Sequence, residues 1–301
     1  MNPSCAQFHL TDEERKQFDD TGFLVVQNAV DRDTTERLIR AVDKVDARER
    51  APTHGRDRLL SFANILQEDD AFVDLIDCPR VFPKVWGILG WNIYVYHTHL
   101  DVTPPVEAPP AKPVAWHQDS MRVNEEIESH PRPRLSLKVG YYLTDVSPVT
   151  WGNTLLVPAS HLRDELDCEN DGVANPPGAI PLQVPPGSAL ILDRRLWHSR
   201  SPNFGPHTRK VIWIGYAYRW LRPKDEMTVQ HLWERVDPVR RQLLGYFANA
   251  NSAYDPQDDD VPLRLWLREN CPDDARGSPH HATEQARPPI YGIRGKNTGR
   301  R

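Results

Sequence analysis

His117 and Asp119 stand two apart in Trp116-His117-Gln118-Asp119, directly after a proline-rich run that includes Pro104, Pro105, Pro109, Pro110 and Pro113. On an extended backbone, side chains two apart point to the same side, so an imidazole nitrogen and a carboxylate oxygen can address one ion. A His-x-Asp pair often arises by chance, and a third ligand has to come from elsewhere in the chain. His198 is the candidate, in ALILDRRLWHSRSPN after the Pro185-Pro186-Gly187 turn. Two histidines and one carboxylate on one face of a metal leave positions open for oxygen and an oxo-acid, the arrangement of non-haem iron(II) oxygenases. The same ligands can hold zinc with one water, so ligand type alone leaves the metal open. Arg209, eleven residues beyond His198 at the start of RKVIWIGYAYRW, adds a planar bidentate donor. Such a donor suits a carboxylate, for instance the distal one of 2-oxoglutarate, if a hairpin brings the two strands together.

Elements able to hold these residues can be read from the pattern. Thr11 and Glu14 have capping-box spacing, which predicts a helix starting at Asp12 and ending before Gly22, followed by a strand over Gly22 to Val30. From Asp31, the residues Leu38, Ile39, Val42 and Val45 recur at helical spacing and predict an amphipathic helix. A helical or irregular stretch follows to about Leu89, and Trp91 to Leu100 predicts a strand rich in aromatic and β-branched residues. From residue 91 to about 220 the chain runs in short β-prone segments: Leu135 to Thr144, Thr154 to Val157, Ala179 to Val184, Ala189 to Leu192 and Val211 to Trp220. Short strands separated by turn residues point to a sandwich, jelly roll or barrel rather than βαβ units. A helix is expected over Asp237 to Phe247, then the acidic run Asp258 to Asp260 and an apolar patch at Leu263, Leu265 and Trp266. The expected organisation is one domain over residues 1–270, with N-terminal helices over about 10–90, a core over about 91–220 and a C-terminal helical segment over about 225–270. Residues 271–301, rich in proline, glycine, histidine and charge, are expected to form a loosely ordered tail.

Composition narrows the function classes. With 39% hydrophobic and 26% charged residues the chain can bury a core and fold. A net charge of -5 with scattered basic residues gives no nucleic-acid footprint. Cys5, Cys78, Cys168 and Cys271 lie far apart without metal spacing and read as unpaired thiols of a reducing compartment, so a cytoplasmic protein is expected. The start MNPSCAQFHLTDEER lacks the charge and apolar pattern of a signal peptide, and no window approaches the roughly 18 apolar residues of a membrane span.

In chain order, Trp116 to Asp119, then Gly152-Asn153-Thr154-Leu155-Leu156-Val157-Pro158-Ala159-Ser160-His161, then His198 with Pro202-Asn203, then Arg209, resemble the phytanoyl-CoA dioxygenase family. The likeness extends over roughly residues 10 to 220 and takes in Asp19 to Val26, which resembles the family's opening strand. The resemblance implies a mainly β protein with flanking helices around a double-stranded β-helix, or jelly-roll, core. It implies iron(II) on His117, Asp119 and His198, with 2-oxoglutarate chelating the iron and its far carboxylate meeting Arg209. Two further co-substrate positions follow by counting along the family pattern: His99, eighteen residues before His117, and Tyr141, eleven before Gly152. His161 fits a structural turn position and is not expected to be a ligand. The sequence departs from the family at Trp151-Gly152, at Pro158-Ala159 and at Arg200, which replaces a small hydroxyl residue two past the distal histidine.

The implied chemistry is oxidative decarboxylation of 2-oxoglutarate by O2, giving succinate and CO2, coupled to oxidation of a substrate C–H bond. Hydroxylation is the expected outcome; desaturation, epoxidation and ring closure would use the same ligands. The carboxylate of Asp119 fills the place that related halogenating enzymes leave for halide, which favours oxygenation. Tyr94, Tyr96, Trp116, Arg134, Lys138, Trp213, Arg219 and Trp220 are expected near the mouth, suiting a polar or anionic small molecule: a secondary metabolite, an amino-acid-like compound or an acyl compound. Two rival classes remain, a zinc hydrolase on the same triad and a non-catalytic jelly-roll binding protein.

Overall fold

The computed structural model describes residues 1–50, 55, 58–109, 115–119, 121–168, 174–249, 251–257 and 260–276. Helix α1 spans Asp12–Thr21 and starts as its capping box predicts: the Glu14 amide donates to Thr11 Oγ1 at 3.2 Å, and the Thr11 amide donates to Glu14 Oε2 at 3.0 Å. Gly22 ends it at φ 85°, a left-handed conformation in which a Cβ would also stand 2.7 Å from His161 Nδ1. Helix α2, Arg32–Glu49, is capped by the Asp31 carboxylate and buries Leu38, Ala41, Val42 and Val45. Short helices α3 (Asp70–Val73) and α4 (Phe82–Leu89) complete the N-terminal layer.

Among the described residues, nine strands form two sheets that face each other. Their ranges are β1 Phe23–Val26, β2 Leu60–Ala63, β3 Ile93–Thr103, β4 Ser136–Tyr142, β5 Thr154–Leu156, β6 Ile180–Pro181, β7 Ser188–Asp193, β8 His198–Arg200 and β9 Arg209–Tyr218. The large sheet runs β1-β7-β4-β9-β3-β2 and the small one β6-β5-β8, with every pairing antiparallel. This is the expected double-stranded β-helix. Most strands lie where turn chemistry placed them, but the strand expected over Gly22 to Val30 covers only Phe23–Val26, and two further differences have clear physical causes. The stretch expected to be helical or irregular before Leu89 contains β2, an edge strand whose partner residues on β3 lie about forty positions on, so only the closed sheet reveals it. The strand expected over Ala179 to Val184 shrinks to two residues, because Pro181 has no N–H to extend the ladder.

Alternation divides the large sheet. Leu137, Val139, Tyr141, Ile191, Ile212, Ile214 and Tyr216 face the helical layer and join one core with Phe72, Val85 and Trp86. Tyr142, Leu190, Leu192, Val211 and Trp213 face inward between the sheets. On β3 the register slips between Val95 and His97, so Tyr96 is an extra, bulged residue. Tyr94 and Tyr96 before the slip and His97, His99 and Asp101 after it thereby share the inner face.

Helix α5 (Met121–Glu126) lies between the sheets' connections, and α6 (Pro238–Leu243) and α7 (Pro262–Asn270) cover one end of β3. The C-terminal helix expected over Asp237 to Phe247 is α6, capped by Asp237. Residues 271–276 pack on the N-terminal layer, where Asp274 accepts from Trp86 Nε1 at 2.9 Å. The rest of the expected tail, 277–301, lies outside the described residues, as do Asp258 and Asp259 of the acidic run. No helix among the described residues is long and apolar enough to cross a membrane. Cys5, Cys78, Cys168 and Cys271 form no disulfide with one another.

A buried ion network locks the turn that delivers His198. Asp193, at the end of β7, is fully buried and takes two hydrogen bonds from the Arg195 guanidinium, at 2.9 and 2.7 Å, and one from Arg134 at 2.7 Å. Burial alone would raise its carboxyl, but the Arg195 hydrogen bonds and the Arg195 and Arg134 charges override it and hold it down at about 2. A depressed carboxyl contributes stability above its unfolded value of 3.8 and loses it as pH falls toward 2. Asp193→Ala takes the shared carboxylate from the buried Arg195 and the half-buried Arg134, so unfolding in urea should show a loss of about 3–5 kcal/mol at pH 7, shrinking between pH 4 and 2. An unchanged midpoint at pH 7 would show that the network carries no stability.

Candidate active site

His117 and His198 are paired directly across an antiparallel bridge: each amide donates to the other's carbonyl, at 3.1 and 3.0 Å. Their rings stand 4.3 Å apart. Both imidazoles are held the same way. His117 Nδ1 lies 2.9 Å from the Ala115 carbonyl and His198 Nδ1 lies 2.8 Å from the Leu196 carbonyl, each two residues upstream. A carbonyl oxygen only accepts, so both Nδ1 atoms carry the proton and both Nε2 lone pairs are free for an ion. Burial pushes His198 down to about 3, with His117 adding to the effect, so it is neutral at pH 7.

The third ligand is placed by the Asp119 amide, which donates to the Arg194 carbonyl at 2.9 Å. Asp119 Oδ1 lies 4.0 Å from His198 Nε2, and one donor atom from each of His117, Asp119 and His198 falls within 4.8 Å of the others. Donors about 2.1 Å from a shared ion stand up to about 4.2 Å apart, so a small contraction closes the three on a first-row metal. Burial alone would raise the Asp119 carboxyl, but the Lys138 ammonium, followed by the two imidazoles, holds it far below the usual carboxylate range. Lys138 Nζ reaches both Asp119 oxygens, at 3.3 and 3.2 Å, and lies 5.1 Å from the centre of the Trp213 ring.

Arg209 is 2% exposed at the start of β9. Its Nη2 donates to Thr154 Oγ1 at 3.3 Å and its guanidinium lies over the Tyr142 ring, yet Nε and Nη1 are buried with no partner among the described residues. Unsatisfied buried donors cost about 1–3 kcal/mol each. A carboxylate entering the pocket would give Nη1 an acceptor, so the arginine fits an oxo-acid reaching toward the triad. Gly152 makes room for this side chain: at φ 72°, a Cβ there would stand 2.7 Å from Arg209 Cδ.

His99 lies on the inner face, stacked between His97 at 4.9 Å and Trp213 at 6.1 Å, with Nδ1 buried and unpartnered. Burial, with Lys138 next, pushes it down to about 3 and keeps it neutral. Tyr141 is a correction. It points into the helical core, where its hydroxyl donates to the Leu75 carbonyl at 3.1 Å. Counting along the family pattern landed one residue off, and on a strand one residue is the other face. Tyr142 is the pocket tyrosine, with its hydroxyl 2.6 Å from Thr154 Oγ1.

Arg200 also faces the interior, 3.9 Å from Asp101 Oδ2, while Trp213 Nε1 donates to the same oxygen at 3.3 Å. Burial and the neighbouring Arg209 lower Arg200 to about 10. His161 keeps a structural place, with Nε2 3.1 Å from the Asp19 carbonyl. Among the residues expected near the mouth, Lys138 and Trp213 face the triad, whereas Arg134 is committed to Asp193 and Asp19. Trp116 and His117 share a small cavity of about 170 Å³ with Arg132 and Trp197. Tyr94, Arg219 and Trp220 line a larger one. The roles of Asp101, Tyr142 and Thr154 were not read from the sequence, though alternation from Lys138 would have singled out Tyr142.

A jelly roll that gathers two histidines and one carboxylate beside β8 defines the class: a cupin-like protein with a candidate facial triad of the kind found in non-haem metal oxygenases. The chain belongs to the phytanoyl-CoA dioxygenase family, whose model matches residues 18–211. The uncharacterized protein Rv1501 of Mycobacterium tuberculosis is 25% identical over 255 residues, covering 79% of this chain and 89% of its own. Among solved structures, HygX from Streptomyces hygroscopicus with nickel and 2-oxoglutarate bound superposes with a TM-score of 0.55 at 17% identity, covering 71% of this chain and 90% of HygX. SnoK, a non-haem α-ketoglutarate-dependent carbocyclase from nogalamycin biosynthesis, gives 0.56 at 19% identity, covering 79% and 95%. At these identities the two structures establish a shared fold.

Proposed function

We propose that the chain is an iron(II)- and 2-oxoglutarate-dependent oxygenase that hydroxylates a C–H bond of a small molecule in the cytoplasm, releasing succinate and CO2. One observation carries the reading: the same enclosed interior holds a facial triad and, beyond it, a buried arginine with two N–H groups that lack a partner. A zinc hydrolase on the triad would leave those donors idle. HygX has been crystallised with 2-oxoglutarate and with hygromycin B, which supports an oxo-acid and a small-molecule substrate here as well.

Bound iron(II) would supply the activation of O2 that couples 2-oxoglutarate decarboxylation to substrate oxidation. This chain's residues do the rest. His117 and His198 present their Nε2 atoms, with each ring fixed through Nδ1 by a carbonyl two residues upstream. Lys138 holds the Asp119 carboxylate ionised and oriented. Arg209 receives the far carboxylate of 2-oxoglutarate, and neutral His99 offers a hydrogen bond to the same molecule. Inner-face apolar residues such as Leu190, Leu192 and Val211 exclude water from the chamber. Anaerobic addition of iron(II) and then 2-oxoglutarate should give a weak visible charge-transfer band, and air should then release succinate even without substrate. Absence of both sinks the reading.

A further inference from the structure

Strand β9 carries an arginine on its inner face at one end and another just past the other end. Arg209 and Arg219 are ten residues apart, so alternation puts both on the face that carries Val211, Trp213 and Ala217. The Arg219 amide still pairs, donating to the Asn92 carbonyl at 3.1 Å. Each arginine is 2% exposed, and each keeps two N–H groups without a partner among the described residues. Lys138, whose ammonium meets Asp119, is registered opposite Gly215. The triad therefore lies between the two arginines, and Arg219 stands about 13 Å along the strand from Gly215, on the side away from Arg209.

Arg219 lines a cavity of about 620 Å³ with Tyr94, Trp220, Met227 and Phe247, within the size range of small-molecule sites. Its Nη1 donates to the Ser252 carbonyl at 3.2 Å, whereas Nε and Nη2, the side-on fork of the guanidinium, have no partner. Asp260, whose charge acts on Arg219, accepts instead from Ser252 Oγ at 2.9 Å. The Phe247 ring covers the guanidinium at 4.9 Å, and Trp220 and Phe247 are 41% and 36% exposed, a large aromatic surface to leave in water. Tyr94 connects the cavity to the interior, clustering with Tyr96 and Ala217 on the inner face that leads to His97 and Lys138.

We infer that this cavity binds the non-reacting end of the substrate: a planar apolar molecule carrying an acidic group. The acidic group takes the free fork of Arg219 as Phe247 turns aside, the rings lie among Tyr94, Trp220 and Met227, and the far end points toward the triad. That the far end is oxidised rests on the oxygenase reading; the binding does not.

The test uses two dyes with the same rings on the metal-free full chain. One is 8-anilinonaphthalene-1-sulfonate and the other is N-phenyl-1-naphthylamine, which lacks the charge. Both should bind saturably by fluorescence titration. Arg219→Met should weaken the sulfonate about tenfold or more and the neutral dye by less than about twofold. Trp220→Ala should weaken both. No saturable sulfonate binding, or equal losses for both dyes in Arg219→Met, overturns the proposal. Should Arg219→Met lose its near-ultraviolet circular dichroism, Trp220→Ala decides, and unchanged affinity for both dyes overturns it. The anaerobic charge-transfer band reports the metal site separately: a band without anion binding removes the cavity alone, and anion binding without a band removes the oxygenase reading alone.

Discussion

His198→Ala is expected to remove both the 2-oxoglutarate charge-transfer band and succinate release, while the protein stays folded. The ring contributes one of the three candidate donors gathered among the described residues, and it comes from the small sheet, opposite the strands that carry Lys138 and Arg209. Loss of an outer partner of a metal ligand already costs about 10–100-fold in affinity or activity, so loss of the ligand itself should exceed that range. Stability should fall little, because the His117–His198 bridge is made by backbone amides that alanine keeps. The measurement is iron(II) binding with and without 2-oxoglutarate, set beside the urea midpoint. A variant that binds iron as tightly as the parent would exclude His198 as a ligand. His117→Ala should behave alike.

Arg209→Ala should raise the 2-oxoglutarate KM about a hundredfold, with a much smaller change in kcat at saturation. Truncating one partner of a buried charge pair costs about 2–5 kcal/mol, and about 3 kcal/mol is a factor of about a hundred. The site cannot replace the lost charge easily: Arg200 is the next guanidinium inward, but it is turned to Asp101. Gly152→Ala should move the same parameter in the same direction, since its Cβ would displace Arg209 at Cδ. If Arg209→Ala left KM where it was and lowered kcat alone, the arginine would not be the anchor.

Much of this was legible because it is local. The capping box at Thr11, the left-handed Gly22, the amphipathic face of α2 and the turn-bounded strands depend on neighbours a few residues away, where spacing fixes geometry. The His117-x-Asp119 pair is likewise local, whereas its third member is not. Order and spacing along the family pattern pointed to His198 and Arg209, and the fold brings His198 beside His117 and Asp119 and buries Arg209 against Thr154. Tyr141 failed for an equally specific reason: a position counted along a strand without its register is uncertain by one residue, and one residue exchanges the chamber for the helical core.

By itself the sequence determined a chain of short, turn-bounded strands, and its likeness to the family implied the jelly roll, the His117, Asp119 and His198 set and an arginine suited to an oxo-acid. The strands follow from short-range periodicity, and the rest follows from the order of motifs along the chain. Only the tertiary structure decided that Lys138 orients Asp119, that Tyr142 and Thr154 line the Arg209 end, and that the bulge at Tyr96 keeps Tyr94 on the inner face with His99. It also decided that Arg209 and Arg219 stand on either side of the triad with donors still unmet. Those facts depend on which strands close against which, and in what register. Sheet pairing over long sequence separations settles that, and no local pattern of residues encodes it.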